Sequence, residues 1–168
     1  MEVFMRRVPV RPVGFFLFLL LLSLAGASFA QERFTASADG QEVTDSRTGL
    51  TWKRCAEGMV FKGKTCTGQA AFLSAPDAAA RAKAASTPGA EWRLPILKEL
   101  SSIVSAREAD VDKAAIDPNA FPGTPLARFW TSSSTGPGYF TFVGFSDGSA
   151  GEAPRATAAA VRLVRSAK

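Results

Sequence analysis

Thr48-Gly49-Leu50-Thr51-Trp52-Lys53-Arg54-Cys55 decides the fold, because it joins a turn, an aromatic strand and the first of two cysteines. Gly49 closes the polar run Asp45-Ser46-Arg47-Thr48, which marks a turn, and Leu50, Trp52 and Arg54 then alternate onto one face. The expected element is a half-buried strand anchored by Trp52, preceded by a strand and turn between Phe34 and Gly49. Cys66 follows after a loop of ten residues. In an exported chain two cysteines allow a single pairing, so Cys55 and Cys66 are expected to be bridged, at a gain of about 3 kcal/mol from loop entropy. Lys62-Gly63-Lys64 reads as a turn inside that loop, so the bridge is expected to staple two neighbouring short strands. A redox or metal-binding pair would need Cys-x-x-Cys spacing or further ligands, and the sequence offers neither.

Export is read from the N-terminus. Arg6, Arg7 and Arg11 form a positive region, Phe15 to Leu24 is almost wholly Phe and Leu, and Ser28-Phe29-Ala30 supplies the small residues of a cleavage site. Residues 1–30 are therefore expected to be a signal peptide cut after Ala30, which places the protein in the periplasm or outside the cell. The alternative is an uncleaved anchor over Val13 to Ala30, the only route by which this chain would meet a membrane. The leader holds three Arg and one Glu of the chain's 20 basic and 15 acidic residues, so its loss leaves a net charge of +3 instead of +5. So small a surplus attracts polyanions weakly across physiological salt, and nucleic acid is not an expected partner. Residues 31–41 are expected to be a flexible lead and 42–168 one domain.

Working outward, Ala70 to Leu73 reads as a short strand. Ser74-Ala75-Pro76-Asp77 combines a capping Ser, an early Pro and an acid, and opens a helix through the Ala-rich run to about Ser86. Leu94-Pro95 is expected to begin a second helix, with Leu97, Leu100, Ile103 and Val104 on its apolar stripe. Glu108, Asp110, Asp112 and Asp117 follow. They lack the Gly turn and closing Glu of a calcium loop, so a solvated acidic loop is expected. The last third reads as antiparallel strands: Phe129 to Ser132, a break at Ser134 to Gly138, then Tyr139 to Phe145 with both faces covered. Ser146-Asp147-Gly148-Ser149 turns the chain, and Ala158 to Val164 is expected to be a terminal strand inside a sheet.

These landmarks carry a resemblance. Thr48 to Trp52 with the two cysteines, Glu91-Trp92-Arg93-Leu94-Pro95 with Lys98-Glu99-Leu100, Ile116-Asp117, Phe121-Pro122-Gly123-Thr124, Phe129-Trp130-Thr131-Ser132-Ser133, Phe145-Ser146-Asp147-Gly148 and Val161-Arg162-Leu163-Val164-Arg165 resemble the Lcl C-terminal domain family. That family is named for a collagen-like adhesin. The resemblance, over roughly Glu42 to Arg165, implies an α+β, C-type-lectin-like fold: mostly antiparallel sheet with two helices, the chain ends paired in one sheet, and one disulfide hairpin. Trp52, Trp92, Arg93, Pro95, Trp130 and Arg162 would then be its framework. It also implies adhesion, since the named adhesin's domain contributes to binding sulfated glycosaminoglycans. Ala75 and Pro76 stand where family members often carry Trp. Asp117-Pro118-Asn119 matches the family's turn and not a lectin calcium motif, and both cysteines fall in the structural hairpin.

The chain contains no His, which removes the commonest general base and metal ligand. Glu91, Glu99, Asp112, Asp117 and Asp147 remain as possible carboxylate pairs of a glycosidase, but no spacing in the sequence selects one. The expectation is accordingly a non-enzymatic protein with no cofactor, no metal and no catalytic residues. Two readings stay open. One is a binding module that holds an anionic glycan or an envelope protein through Arg128, Trp130, Tyr139 and Arg155, using forked Arg donors and stacked rings. The other is a structural subunit of the envelope, self-associating into a homo-oligomer without recognising glycan.

Overall fold

The computed structural model describes residues 1–2, 32–105 and 112–167. The chain divides into two units, Met1–Ala30 and Gln31–Lys168, and the expected leader lies outside the described residues except for Met1 and Glu2. In the second unit the strands are β1 (Phe34–Ala36), β2 (Glu42–Asp45), β3 (Leu50–Lys53), β4 (Met59–Lys62), β5 (Thr65–Gly68), β6 (Arg128–Gly136), β7 (Tyr139–Gly144), β8 (Ala150–Pro154) and β9 (Val164–Ser166). Helices α1 (Ala75–Ala85) and α2 (Leu97–Ser102) lie between β5 and β6. Three antiparallel sheets result, ordered β1-β2-β3-β9, β4-β5 and β6-β7-β8.

The first sheet is built on a buried carboxylate. Asp45 is fully buried at the end of β2, and its oxygens accept from Arg33 at 2.9 and 2.8 Å, from the Arg47 amide and from the Thr48 hydroxyl. Gly49, at φ +65°, lets the chain reverse there and donate to the Asp45 carbonyl. β3 departs from the half-buried expectation. Leu50, Thr51 and Trp52 are 8, 3 and 0 % exposed, because β3 lies between β2 and β9 and is covered on both faces. Residues 31–41, expected to be flexible, contribute β1 instead, held to β2 by pairing of Phe34 with Asp45 and Ala36 with Val43. The first and last strands therefore share one sheet, at its opposite edges.

The hairpin β4-β5 turns at Gly63, and Cys66 on β5 is bridged to Cys55 with Cα atoms 5.6 Å apart. Cys55 lies beyond the end of β3 and in no strand. The bridge thus ties the hairpin to the exit of the first sheet instead of stapling two adjacent strands. The strand expected over Ala70 to Leu73 is reduced to one bridge between Leu73 and Ala159.

Helix α1 follows its sequence signals: Ser74 accepts from the Asp77 amide, Pro76 lies in the first turn, and Ala75, Ala78 and Ala82 face inward. α2 starts later than Pro95. The Pro95 carbonyl accepts from the Ser132 amide at 2.8 Å, which keeps that segment extended, and Glu99 returns to the Ile96 amide to cap the helix one turn on.

The sheet β6-β7-β8 is the middle layer of the core. Phe129 pairs with Val143 and packs with Trp52, Leu100, Ile103 and Phe145, whereas the next pair, Trp130 with Phe142, packs with α1, Trp92 and Leu163. Successive residues therefore belong to opposite apolar clusters, as strand alternation requires. β6 runs on through Ser134 to Gly136 with register shifts where a break was expected. β8 had no sequence signal. The terminal strand expected over Ala158 to Val164 is also corrected: residues 159–163 thread between sheets through single bridges, and β9 begins at Val164 on an edge. Among the described residues no helix is long and apolar enough to cross a membrane.

Candidate functional site

Arg162 is the most constrained charge in the domain. It is fully buried, and its guanidinium donates to the Lys53 carbonyl at 2.9 Å, to the Arg54 carbonyl, and to the Thr124 hydroxyl at 2.8 Å. Phe121 and Phe129 lie 4.8 and 5.7 Å from its central carbon. Burial pushes its pKa down to about 9, still above neutrality, so the cation persists at pH 7. Its contacts join the exit of β3, the Phe121 to Thr124 loop and the C-terminal segment. Its role is to hold these together.

Two cations approach the Trp92 ring, Lys53 Nζ at 4.3 Å and the Arg165 guanidinium at 5.2 Å, and both reach Glu42. Arg93 forms a forked pair with Glu99 at 2.7 Å for each bond. The Arg93 hydrogen bond holds the Glu99 carboxyl below its usual range, against opposing desolvation. Trp52 and Trp130 are fully buried.

The four residues expected to hold a ligand separate. Trp130 shows no surface, and its indole N–H donates to the Leu73 carbonyl at 2.8 Å, so its ring offers no stacking platform. Arg128 is exposed opposite Gly144, with its guanidinium 4.6 Å from the Phe142 ring. Tyr139 lies at the other end of β7, roughly 17 Å away for five strand steps. Only Tyr139 and Arg155 share a sheet end, as a backbone placement: Tyr139 pairs with Pro154, and the Arg155 amide donates to the Gly138 carbonyl at 2.8 Å. Tyr139 is 46 % exposed, and Arg155 has no carboxylate partner among the described residues. The Arg155 carbonyl accepts from the Ala75 amide, which fixes this sheet end against the start of α1. Sequence gave no warning of the split, since alternation fixes faces but not which strand ends meet.

The carboxylates considered for catalysis are engaged in local structure. Glu91 accepts from the Gly89 amide, Asp117 from the amides of Asn119 and Ala120, and Asp147 from the Ser149 amide and hydroxyl, which lower its pKa. Glu108 and Asp110 lie outside the described residues. Among the described residues no three Cys, Asp or Glu side chains gather to hold a metal. A cleft of about 420 Å³, whose lining does not include Tyr139, lies between β1 and the Asp117 to Ala120 turn.

The described residues of Gln31–Lys168 form a small α+β unit with three antiparallel sheets and one disulfide. The chain belongs to the Lcl C-terminal domain family, whose pattern matches residues 41–165. A search of curated proteins finds no match to it. Membership marks it as an adhesin-associated domain.

Proposed function

We propose that the protein is an exported, non-catalytic binding module with a C-type-lectin-like fold, which holds an anionic glycan at the end of the β6-β7-β8 sheet. The observation that carries this reading is that the backbone brings Tyr139 and Arg155 to the same end of the β6-β7-β8 sheet, in a family named for an adhesin. The Tyr139 ring supplies a flat apolar face for a sugar, and the Arg155 fork fits sulfate or carboxylate. The leader-like N-terminus supports export. Tyr139 is on a paired strand and the Arg155 backbone is bonded to Gly138 just beyond β8, which limits the ordering cost of binding.

A sulfated-glycan array read at several salt concentrations tests the reading. Binding is expected to weaken with salt, and Arg155→Ala and Tyr139→Ala are each expected to lower affinity about tenfold, the loss of roughly one charge-assisted contact or one ring face. Absence of glycan binding at low salt, with a stable oligomer by light scattering, would sink the proposal in favour of a structural subunit.

A further inference from the structure

Among the described residues no strand pairs with the outer edge of β1, and a cleft lies beside it. In the β1-β2 ladder the Ser46 amide donates to the Arg33 carbonyl and the Ser37 amide to the Glu42 carbonyl. Antiparallel ladders alternate, so residues 33, 35 and 37 bond to β2, while the amides and carbonyls of Phe34 and Ala36 point outward. The other edges of the two larger sheets are protected. β9 exchanges both hydrogen bonds with Arg93, β6 is met by Ala160 and Pro95, and β8 carries Pro154 and Glu152. β1 has no proline or charge within it.

A strand added to β1 would hydrogen-bond to Phe34 and Ala36. Its residues opposite them would share their face of the sheet, the face that borders the cleft of about 420 Å³ lined by Phe34, Ala36, Val43, Ala120, Arg54 and Asp117. Glu32 and Arg33 complete the charged wall. Arg33 is paired with Asp45, and Arg54 is turned onto the carbonyls of Asn119 and Ala120 and onto the Phe61 ring. Glu32 and Asp117 have no cationic partner among the described residues. The cleft therefore presents two uncompensated carboxylates against one cation already held by carbonyls. We propose that the β1 edge captures an extended peptide strand of a partner protein, with a basic side chain of that strand placed in the cleft toward Asp117 and Glu32. Main-chain pairing supplies the adhesion and the cleft supplies the selection, as in other strand-addition sites.

The test uses the whole chain and two capped pentapeptides, Thr-Val-Lys-Val-Thr and Thr-Val-Glu-Val-Thr, titrated by NMR with amide exchange read residue by residue. The Lys peptide is expected to slow exchange at Phe34 and Ala36 and to bind at least fivefold more tightly than the Glu peptide. Asp117→Asn keeps the Oδ1 acceptor for the 119 and 120 amides. Combined with Glu32→Gln, it should erase that preference without lowering the melting temperature. Ala36→Pro removes an outward donor only and should abolish binding, while sulfated-glycan binding by the Tyr139 end stays unchanged. Equal affinity for the two peptides, or perturbation anywhere other than the β1 edge, overturns the proposal. So does the lack of any response at millimolar peptide.

Discussion

Arg162 shows how one residue can be framework and charge at once. The carbonyls of Lys53 and Arg54 point at its guanidinium, and no carboxylate shares the site among the described residues. Arg suits this task better than Lys, because its planar fork meets several acceptors while its faces lie against Phe121 and Phe129. Arg162→Met fills much of the same space but leaves two buried carbonyls and the Thr124 hydroxyl without a donor. The expected cost is about 3 kcal/mol, from roughly 1 to 3 kcal/mol for each orphaned group. Urea denaturation with an unchanged m-value measures it. A loss under about 1 kcal/mol would mean that water or a relaxed backbone replaces the guanidinium. Trp130 makes the complementary point: its position in an aromatic strand is legible in the sequence, but only the pairing with Phe142 and the bond to Leu73 show that it faces inward.

At the scale of elements, signals confined to a few residues were readable and those set by distant partners were not. Helix α1 has its cap, its Pro and its Ala face in consecutive residues, and it forms where those place it. β8 is Ala-Gly-Glu-Ala-Pro, a poor strand by composition, and exists because β7 supplies its ladder from Tyr139 to Val143. The start of α2 moved for the same kind of reason, since the Pro95 carbonyl is claimed by Ser132 across 37 residues. The β4-β5 hairpin is the element most dependent on a covalent tie. A two-stranded hairpin is marginal by itself, and Cys55 and Cys66 are 7 and 6 % exposed. Replacing both with Ala is expected to cost about 3 kcal/mol from loop entropy. Amide exchange should rise first in β4 and β5, and uniform loosening of every strand would contradict the hairpin's separate stability.

For the whole molecule, the family and the α+β class were legible because landmark order survives in the sequence. The separation of the residues expected to hold a ligand was not, because Arg128 on β6 lies opposite Gly144 at one end of β7 and Tyr139 begins the other. The same long-range logic governs acid stability. Asp45 joins the N-terminal Arg33 to the β2-β3 turn, and Arg33 continues to the Ser102 carbonyl at the end of α2. Desolvation raises the Asp45 pKa, but hydrogen bonds from Arg33, Thr48 and the Arg47 amide outweigh it and leave the carboxyl below its usual range. Glu99 is lowered by Arg93. A carboxylate with a depressed folded pKa contributes stability that is complete above its unfolded value, near 4, and disappears as pH falls through the folded one. Glu57 acts in the opposite sense: desolvation raises it, against Arg81 and Lys53, so its protonation on acidification favours the fold and blunts the first part of the decline. Stability should therefore hold from about pH 8 to pH 5 and drop steeply below about pH 4. Asp45→Asn, which leaves Arg33 without its counter-charge, is expected to cost about 3 kcal/mol at pH 7. That gap should narrow in urea titrations as the pH falls below about 4 and the native carboxyl takes up its proton. A gap that persists unchanged over that range would assign the loss to packing at Asp45 and remove its charge from the account of how the first and last strands are held in one sheet.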